Sequence, residues 1–466
     1  MTVPAWIYDA VFYQIFPDRF YKGDLSNNPP NVKRWGAKPT YTSYFGGDLK
    51  GIIQKIDYLL DLGINAIYLN PIFLASSPHR YNTTDYFKID TFLGDKKDLS
   101  DLIEIVHRNN IRIILDGVFN HSGRGFFAFT DILENGPESP YVDWYHINNF
   151  PLNAYTDGKA ENFLAWFGFK SLPKFNISNP YVCAYIMKVI HYWLNLGADG
   201  WRLDVPNEID DDGFWSKFRS LVKTTNREAY LVGEIWQPMP KWVKYFDGLM
   251  NYPFRDAVLG ILSNEINVRQ FVDALEYLTS LYPEENMFAM YLPLGSHDTK
   301  RLFTRMNGDI RKVKLAFLIQ FIFPGIPAIY YGDEIGMSGG KDPENRATFR
   351  WNENEWNKNI RDWVKLLIGI RKEFEVVRKG NFHIIDLDEV KNICSIRREY
   401  KHQEIVLISN FSDKKYNYKI NLDKFGWKQG VRLLNIIDNE SLVIDQDLFT
   451  FELLSFSGKL FYSLEN

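Results

Sequence analysis

Short apolar runs alternate with longer amphipathic segments along this chain from its start to about residue 375. A short apolar run bounded by turn residues indicates a buried strand, whereas apolar residues spaced three and four apart indicate one face of a helix. Their regular alternation predicts a parallel sheet, because parallel strands must be joined by crossover connections that are usually helical. This pattern constrains the fold more than any other feature of the sequence.

Eight apolar runs can be marked as strands, which is the number that closes a (β/α)8 TIM barrel. In chain order they are AVFYQIFP, NAIYLNP, RIILDGVFNH, DGWRLDV, AYLVGEIW, FDGLMNYPF, MYLPLGSHDT and IPAIYYGDE. Nearly every run ends in polar side chains, and in this barrel the carboxyl ends of the strands form the catalytic face. We therefore predict an α/β barrel with a functional cleft at those ends.

The segment GIIQKIDYLLDLGI illustrates one helix and strand unit. Gly63 can supply a left-handed helix cap, and NAIYLNP follows it as a buried strand. The apolar residues that share one face of the predicted helix are Ile52, Ile53, Ile56, Leu59 and Leu60.

Two stretches depart from the barrel pattern. The first follows the third strand, is rich in Phe, Asn, Gly and Pro, and is too long for an ordinary connection, which indicates an inserted domain. In the second, after Gly380, strands such as NICSIRREY and QEIVLISNF follow each other without helices, which indicates a C-terminal antiparallel β-domain. The predicted domains are the barrel (1–121 and 179–379), the inserted domain (122–178) and a C-terminal β-sandwich (380–466).

Composition narrows the function classes. The net charge is only -4 and no Lys/Arg cluster is present, so nothing indicates a nucleic-acid partner. The chain has neither a signal-peptide pattern at its start nor an apolar run as long as a membrane span, from which we expect a cytoplasmic protein with no membrane partner. Aromatic residues make up 16% of the chain and often stand beside glycine and polar residues, as in sugar-binding clefts. We expect an uncharged substrate.

Three carboxylates follow predicted strands in apolar or aromatic surroundings: Asp204 in GWRLDVPNE, Glu234 in LVGEIW and Asp298 in GSHDT. Cleavage of an acetal between two sugars requires one carboxylic acid to protonate the leaving oxygen and one carboxylate to attack the anomeric carbon. Closure of the barrel brings neighbouring strand ends together. The sequence thus predicts a retaining glycoside hydrolase with Asp204 as nucleophile and Glu234 as general acid/base.

The surroundings of these two acids differ. Arg202 precedes Asp204 by two positions, and the period of a strand places both side chains on one face. We expect Arg202 to keep Asp204 ionised, whereas Ile235 and Trp236 should raise the pKa of Glu234.

The segments DGVFNH, GWRLD, GEIW, SHDT and GIPAIYYGDE resemble, in order, the motifs of the α-amylase family of retaining glycoside hydrolases and transglycosidases. The resemblance covers essentially the whole chain. It implies a barrel with an inserted domain after the third strand and a C-terminal β-domain. It also implies that Asp204 is the nucleophile, Glu234 the acid/base and Asp298 the third carboxylate, which grips sugar hydroxyls.

The same resemblance implies further contacts with substrate. His121, Arg202 and His297 match residues of the central sugar subsite, and Tyr81 matches a tyrosine that stacks on that sugar. Asp342 and Arg346, in the DPENR segment, resemble residues that contact sugars on the non-reducing side.

Two segments narrow the resemblance to one group. LPKFN resembles the MPKLN motif of neopullulanases, cyclomaltodextrinases and maltogenic amylases, and Glu208 in VPNE resembles the end of their VANE motif. The group implies activity on α-1,4 bonds of maltooligosaccharides and cyclomaltodextrins, with pullulan or α-1,6 bonds as further substrates. Those relatives usually carry an N-terminal β-domain that helps to form a dimer, whereas this barrel pattern begins almost at Met1. Monomer and homodimer therefore both remain open.

Aromatic residues of the inserted stretch are expected to narrow the cleft from above and so to favour small substrates. They are Phe126, Phe127, Trp144, Trp166 and Phe167.

A calcium site is suggested by GDLSNN together with GGDLKGI, because oxygen ligands from two nearby loops suit a hard cation. The predicted ligands are Asp24, Asn27, Asn28, Gly46 and Asp48. The match is incomplete, since Lys22 and Asn28 stand where the relatives have an asparagine and an aspartate ligand. A plain Asx turn is the alternative interpretation, and no cofactor is required for the reaction.

Two other functions remain to be weighed against hydrolysis. A glycosyl-enzyme can be discharged by a sugar hydroxyl as well as by water, which would make the protein a 4-α-glucanotransferase, and Trp236 and Glu208 lie where an acceptor would bind. An inactive glucan-binding protein is disfavoured, because three acids, Arg202 and both histidines are all present.

Overall fold

The computed structural model describes residues 3–444 and 448–463. Its barrel region contains the strands β1 (Phe12–Ile15), β2 (Ala66–Leu69), β3 (Phe73–Ala75), β4 (Thr83–Ile89), β5 (Arg112–Gly117), β6 (Gly200–Leu203), β7 (Tyr230–Gly233), β8 (Gly248–Leu249), β9 (Tyr291–Pro293) and β10 (Ile326–Tyr330). Eight of them form one sheet in the order β8-β7-β6-β5-β2-β1-β10-β9. A parallel bridge from Met250, directly after β8, to Tyr291 in β9 joins the two ends of the sheet. The predicted (β/α)8 barrel and its eight strands are confirmed.

Helices surround this sheet and connect its strands. They are α1 (Pro17–Phe20), α2 (Leu49–Gln54), α3 (Ile56–Leu62), α4 (Lys96–Arg108), α5 (Phe127–Asn135), α6 (Pro180–Leu196), α7 (Asp212–Thr225), α8 (Tyr252–Leu262), α9 (Val268–Leu281), α10 (Glu284–Phe288), α11 (Leu302–Arg305), α12 (Ile310–Ile322), α13 (Lys358–Glu373) and α14 (Glu375–Lys379). Within the described part of the chain, no helix has both the length and the apolar character needed to cross a bilayer.

The helix predicted over GIIQKIDYLLDLGI is in fact two helices. α2 and α3 are separated at Lys55, whose φ of -112° and ψ of 16° interrupt the helical backbone. The cap at Gly63 is confirmed, since this residue has a φ of 94° and its N–H bonds to the carbonyls of Leu59 and Leu60. A positive φ of this size favours glycine because other residues would place Cβ against the backbone.

The sequence did not predict the hairpin formed by β3 and β4, which lies outside the barrel sheet and pairs antiparallel. Two register shifts interrupt the pairing, so the alternation of buried and exposed residues is too short to stand out. The hairpin positions Tyr81 in its connecting loop.

The stretch 122–178 contains α5 and a set of isolated bridges rather than a continuous sheet. Antiparallel bridges join Tyr145 to Phe175 and Ile147 to Phe163, and another joins Lys174 to His121 at the end of the third barrel strand. This stretch is therefore fixed directly to the carboxyl face of the barrel.

The C-terminal region consists of antiparallel strands, as predicted. They are β11 (Asn381–Asp388), β12 (Ile393–Tyr400), β13 (Gln403–Asn410), β14 (Tyr416–Asn421), β15 (Val431–Asn435), β16 (Glu440–Ile444), β17 (Leu448–Leu453) and β18 (Ser457–Ser463). A six-stranded sheet and the pair β14-β17 enclose a separate apolar cluster that includes Leu433 and Phe461.

Candidate active site

Barrel closure brings the predicted carboxylates to one end of the sheet. Asp204 directly follows β6 and Glu234 directly follows β7, and these neighbouring strands pair through Leu203 and Gly233. Asp204 is 8% exposed and Glu234 is 4% exposed. Asp298 lies in the loop after β9 with about a third of its side chain exposed. The structure thus places two acids in the wall of the cleft and the third nearer to solvent.

The guanidinium of Arg202 contacts three carboxylates. Its Nη1 donates to Asp204 Oδ1 at 3.0 Å and to Asp116 Oδ1 at 2.8 Å. Its Nη2 lies 2.7 Å from Glu234 Oε1. Because the guanidinium contacts both candidate catalytic acids, Arg202 alone does not distinguish the nucleophile from the general acid. The sequence had suggested that it would.

Burial changes the acidity of both groups. It raises the pKa of Glu234 to about 7, although Arg202 opposes this shift. Burial also raises the pKa of Asp204 well above its usual range, although Arg202 opposes this shift. Two carboxyls that share one guanidinium titrate as a single system. A proton held on Glu234 leaves Asp204 anionic, which is the distribution that double displacement requires.

The backbone of Val205 also fixes Glu234. This residue has a φ of 36° and a ψ of 51°, a left-handed conformation that is strained for a β-branched side chain. In this conformation its N–H donates to Glu234 Oε2 at 3.2 Å. The residue directly after Asp204 therefore orients the neighbouring acid.

Asp298 is held as an anion by a neighbouring arginine. Its Oδ1 accepts from Arg346 Nη2 at 3.1 Å, and its Oδ2 lies 3.0 Å from His297 Nε2. Burial acts to raise the pKa of Asp298, but His297, Arg346 and Arg202 together lower it. Since burial lowers the pKa of His297 itself to about 3, the imidazole is neutral at neutral pH, and Arg346 is the permanent cation in contact with Asp298.

Tyr81 and His297 form a stacked pair on one side of the cleft. Their ring centroids are 5.4 Å apart with an interplanar angle of 5°. Gln14 Nε2 lies 2.8 Å from His297 Nδ1, and because an amide nitrogen only donates, Nδ1 accepts and the proton is on Nε2. That proton faces the Tyr81 hydroxyl, whose oxygen lies 2.5 Å from Nε2.

His121 lies at the end of β5 beneath the inserted domain. Trp166 stacks over it with centroids 5.7 Å apart, and burial lowers its pKa to about 3. Within residues 3–444 and 448–463, its buried Nε2 has no hydrogen-bond partner. An unpartnered polar atom at this position is suited to a sugar hydroxyl.

Trp236 and Glu208 follow the two catalytic candidates in the loops after β7 and β6. Trp236 is 41% exposed and stacks on Tyr252 with centroids 3.7 Å apart and an interplanar angle of 5°. One face of the indole is covered by Tyr252, so the other is the face available to a ligand. Lys174 of the LPKFN segment donates to the Glu208 carbonyl at 2.8 Å.

Asp342 and Arg346 lie beside Asp298. Arg346 Nη1 is 3.3 Å from Asp342 Oδ2, while Asp342 Oδ1 is buried without a hydrogen-bond partner in the described part of the chain. A cavity of about 540 Å³ is lined by Asp298, Thr299 and Asp342 among other residues.

The expectation for the aromatic residues of the inserted domain needs correction. Phe126 and Trp144 are buried in the main apolar cluster, and Phe127, although 45% exposed, packs edge-on against Trp144, so these rings do not form the roof of the cleft. Trp166 stacks on the predicted site residue His121, and the adjoining Phe167 is 71% exposed.

Asp116 is the main site residue that the sequence analysis missed. It is buried in β5, where it accepts from Arg202, from the Tyr68 hydroxyl at 2.5 Å and from the Tyr81 hydroxyl at 3.1 Å. An acid directly after the apolar residues of RIIL, in a segment read as a strand, was the available signal, and Gln14 inside FYQI was a similar one. Both organise the residues that face the cleft.

The predicted calcium loops lie close together, but both of their carboxylates already have hydrogen-bond partners within the protein. Asp48 accepts from the N–H groups of Gly23, Asp24 and Gly51, and Asp24 accepts from Lys50 Nζ at 2.7 Å. In the described residues, the side-chain oxygens of Asn27 and Asn28 are buried without a partner, and a Cβ at Gly46 would lie 2.0 Å from the Asn28 oxygen. These two amide oxygens suit a cation, while the engaged carboxylates do not. A calcium ion at these loops therefore stays a prediction.

The fold and the acidic cleft define a (β/α)8 barrel of the glycoside hydrolase type. A family model described as "Alpha amylase, catalytic domain" matches residues 14–375. The chain belongs to the α-amylase family.

The chain is similar to several characterised members of this family. It is 42% identical over 469 residues to a cyclomaltodextrinase from Thermoanaerobacter pseudethanolicus, a match that covers 99% of this chain and 77% of the relative. It is 40% identical over 432 residues to neopullulanase 2 from Thermoactinomyces vulgaris, covering 92% and 73%. Among solved structures, the cyclic α-maltosyl-(1→6)-maltose hydrolase from Arthrobacter globiformis superposes with a TM-score of 0.90 at 35% identity, covering 99% of this chain and 100% of that one.

Proposed function

We propose that this protein is a retaining α-glucan hydrolase that cleaves α-1,4 bonds of maltooligosaccharides and cyclomaltodextrins. The contact of one guanidinium, Arg202, with both Asp204 and Glu234 is the observation that carries this proposal. It holds a nucleophile and an acid at adjacent strand ends, as double displacement at an anomeric carbon requires. Asp298, kept ionised by Arg346, is the group we assign to sugar hydroxyls.

In the first half of the reaction, Glu234 protonates the glycosidic oxygen while Asp204 attacks the anomeric carbon. The bond to the leaving sugar breaks and an ester between Asp204 and the glycosyl group forms. Arg202 then faces an ester in place of one carboxylate and a newly ionised Glu234 in place of a carboxylic acid. The positive charge thus remains balanced as the proton moves.

In the second half, Glu234 takes a proton from water, and the resulting hydroxide attacks the anomeric carbon and displaces Asp204. The product is released, Asp204 returns to its carboxylate form and Glu234 is protonated again. His121 and His297 are both neutral at pH 7, so neither adds charge near the oxocarbenium-like transition state. His121 Nε2 has no hydrogen-bond partner among the described residues and can donate to a sugar hydroxyl, whereas the Nε2 proton of His297 is directed at the Tyr81 hydroxyl.

We expect the newly released reducing end to appear first as the α-anomer, because two inversions at one carbon restore its configuration. Proton NMR during the first minutes of maltotriose cleavage reports the anomer before mutarotation. Initial release of the β-anomer would show single displacement and would overturn the assignment of Asp204 as nucleophile.

Two features support small glucans as the preferred substrates. The cyclomaltodextrinase and neopullulanase relatives match nearly the whole chain, and Trp166 covers the buried end of the cleft at His121. A ring or short chain loses less conformational freedom on entering such a site than a branched polymer does.

We therefore expect β-cyclodextrin and maltotriose to be cleaved faster per glycosidic bond than soluble starch, with maltose and glucose as main products. Pullulan completes the panel and reports α-1,6 cleavage. Initial rates by reducing-sugar assay, with chromatography of the products, provide the measurement. A rate on starch about tenfold above that on β-cyclodextrin would contradict the small-substrate proposal and leave the general α-glucan assignment.

Transfer to a sugar acceptor is a second proposed activity of the same site. The uncovered face of Trp236, backed by Tyr252, offers a flat apolar surface for an acceptor sugar. The chromatograms of the same panel distinguish transfer from hydrolysis, since oligosaccharides longer than the substrate appear only if transfer competes with hydrolysis.

We also propose a cytoplasmic location, which the 38% identity to an intracellular maltogenic amylase of Bacillus subtilis supports.

A further inference from the structure

An exposed tyrosine lies at the rim of the cleft on the Asp342 side. The side chain of Tyr41 is 66% exposed, yet its hydroxyl donates to the Asp342 carbonyl at 3.1 Å. The ring is thus tethered at its polar end while most of its apolar surface stays in water, and burial of that surface by a ligand would be favourable.

The loop that carries Tyr41 is fixed at several points to the segment that follows Asp342. Lys38 Nζ pairs with Glu344 Oε1 at 2.8 Å. Trp35 Nε1 donates to the Phe349 carbonyl at 2.9 Å, and the Gly36 N–H donates to Thr348 Oγ1 at 3.0 Å. The ring is therefore held in place before any ligand arrives, which lowers the entropic cost of binding to it.

A chain of contacts connects this ring to the candidate catalytic residues. Tyr41 bonds to Asp342, Arg346 contacts Asp342 at 3.3 Å, and Arg346 donates to Asp298 at 3.1 Å. The side chain of the same residue carries an oxygen, Asp342 Oδ1, that is buried and has no hydrogen-bond partner among the described residues. Tyr41 and Asp342 thus offer an apolar ring and a polar acceptor, which match the C–H face and the hydroxyl edge of a glucose ring.

We propose that Tyr41 stacks on the second glucosyl unit on the non-reducing side, the one next to the unit that Asp204 attacks, while Asp342 Oδ1 accepts from one of its hydroxyls. This inference rests on the proposed function. It makes Tyr41 a determinant of substrate length, because only substrates with at least two sugars on that side reach the ring.

The test compares α-maltosyl fluoride with α-glucosyl fluoride, which differ only in that second sugar. In Tyr41→Ala we expect kcat/KM for α-maltosyl fluoride to fall about tenfold, equivalent to about 1.4 kcal/mol, with the value for α-glucosyl fluoride unchanged. Tyr41→Phe keeps the ring and should stay within about threefold of the wild type on both substrates. Tyr277→Ala, which removes another half-exposed tyrosine from α9, should change neither.

Fluoride release by the purified chain measures all four proteins on both substrates. An unchanged rate of Tyr41→Ala on α-maltosyl fluoride, or an equal loss on both fluorides, would overturn the stacking role and leave the proposed function intact. A wild-type protein that releases no fluoride from either substrate would overturn the proposed function and this inference with it.

Discussion

Replacement of Glu234 by glutamine is expected to lower kcat/KM for maltotriose by at least about a thousandfold, near the upper range for loss of a general acid. The amide keeps the shape of the side chain, and its oxygen can still accept from the Val205 N–H. Its NH2 group, however, is too weak an acid to protonate the leaving oxygen. Substrate binding should change little. Kinetics on maltotriose together with calorimetric binding to the inactive variant separate the two effects.

The pH dependence of the wild type provides a second readout of the same group. Glu234 must be protonated to act as the acid, and its pKa is raised to about 7 by burial. We therefore expect kcat/KM to fall as the pH rises through about 7, since deprotonation removes the acid. In Glu234→Gln this alkaline decline should be absent from the residual activity.

A matched control and an activated substrate distinguish this role from a structural one. Glu404→Gln changes a half-buried glutamate of the C-terminal domain, whose pKa burial also raises, and it should retain wild-type activity. Because fluoride leaves without protonation, Glu234→Gln should still form the glycosyl-enzyme from α-maltosyl fluoride. Azide should then attack this glycosyl-enzyme and give α-maltosyl azide, because the attack is the second inversion at the anomeric carbon. If Glu234→Gln retained about a tenth of the wild-type rate on maltotriose, the acid/base assignment would be wrong.

Replacement of Asp204 by glycine is expected to lower kcat for maltotriose by at least about ten-thousandfold, because the attacking oxygen is removed. Arg202 still has Asp116 and Glu234 as partners, so the buried guanidinium remains paired and the fold should persist. Circular dichroism and thermal unfolding check the fold, and single-turnover kinetics check the loss.

The space left by Asp204→Gly allows a chemical test of the direction of attack. Azide entering there would displace fluoride from α-maltosyl fluoride with one inversion and give the β-azide, the opposite anomer from that expected with Glu234→Gln. Asp210→Asn, an exposed acid of the same loop, serves as the control and should leave activity unchanged. Formation of the α-azide by the glycine variant would assign the nucleophile to another residue.

The sequence predicted the fold well because its information is local and repeated. Each barrel strand is a short apolar run bounded by turn residues, and nearly every run ends in polar side chains, so eight repeats of one pattern specify both the sheet and its functional end. The hairpin β3-β4 was missed because two register shifts break its alternation. The break at Lys55 was missed because the apolar face of the helix continues across it.

The candidate site was predictable where residues follow strands directly. Asp204, Glu234 and His121 could be placed from their position in sequence alone, and the structure brings all of them to the carboxyl face. Asp116 was overlooked because it lies inside a strand, where its role depends on Tyr68, Tyr81 and Arg202 from other parts of the chain.

By itself the sequence determined which residues face the barrel mouth, because strand period and strand ends are properties of neighbouring residues. Only the tertiary structure decided how charge is shared there. Arg202 was expected to keep Asp204 ionised, but barrel closure also places Asp116 and Glu234 against the same guanidinium and buries all of them. The pKa of an acid depends on desolvation and on charges brought from distant positions, and Tyr41 likewise gains its place beside Asp342 only because two loops far apart in sequence meet.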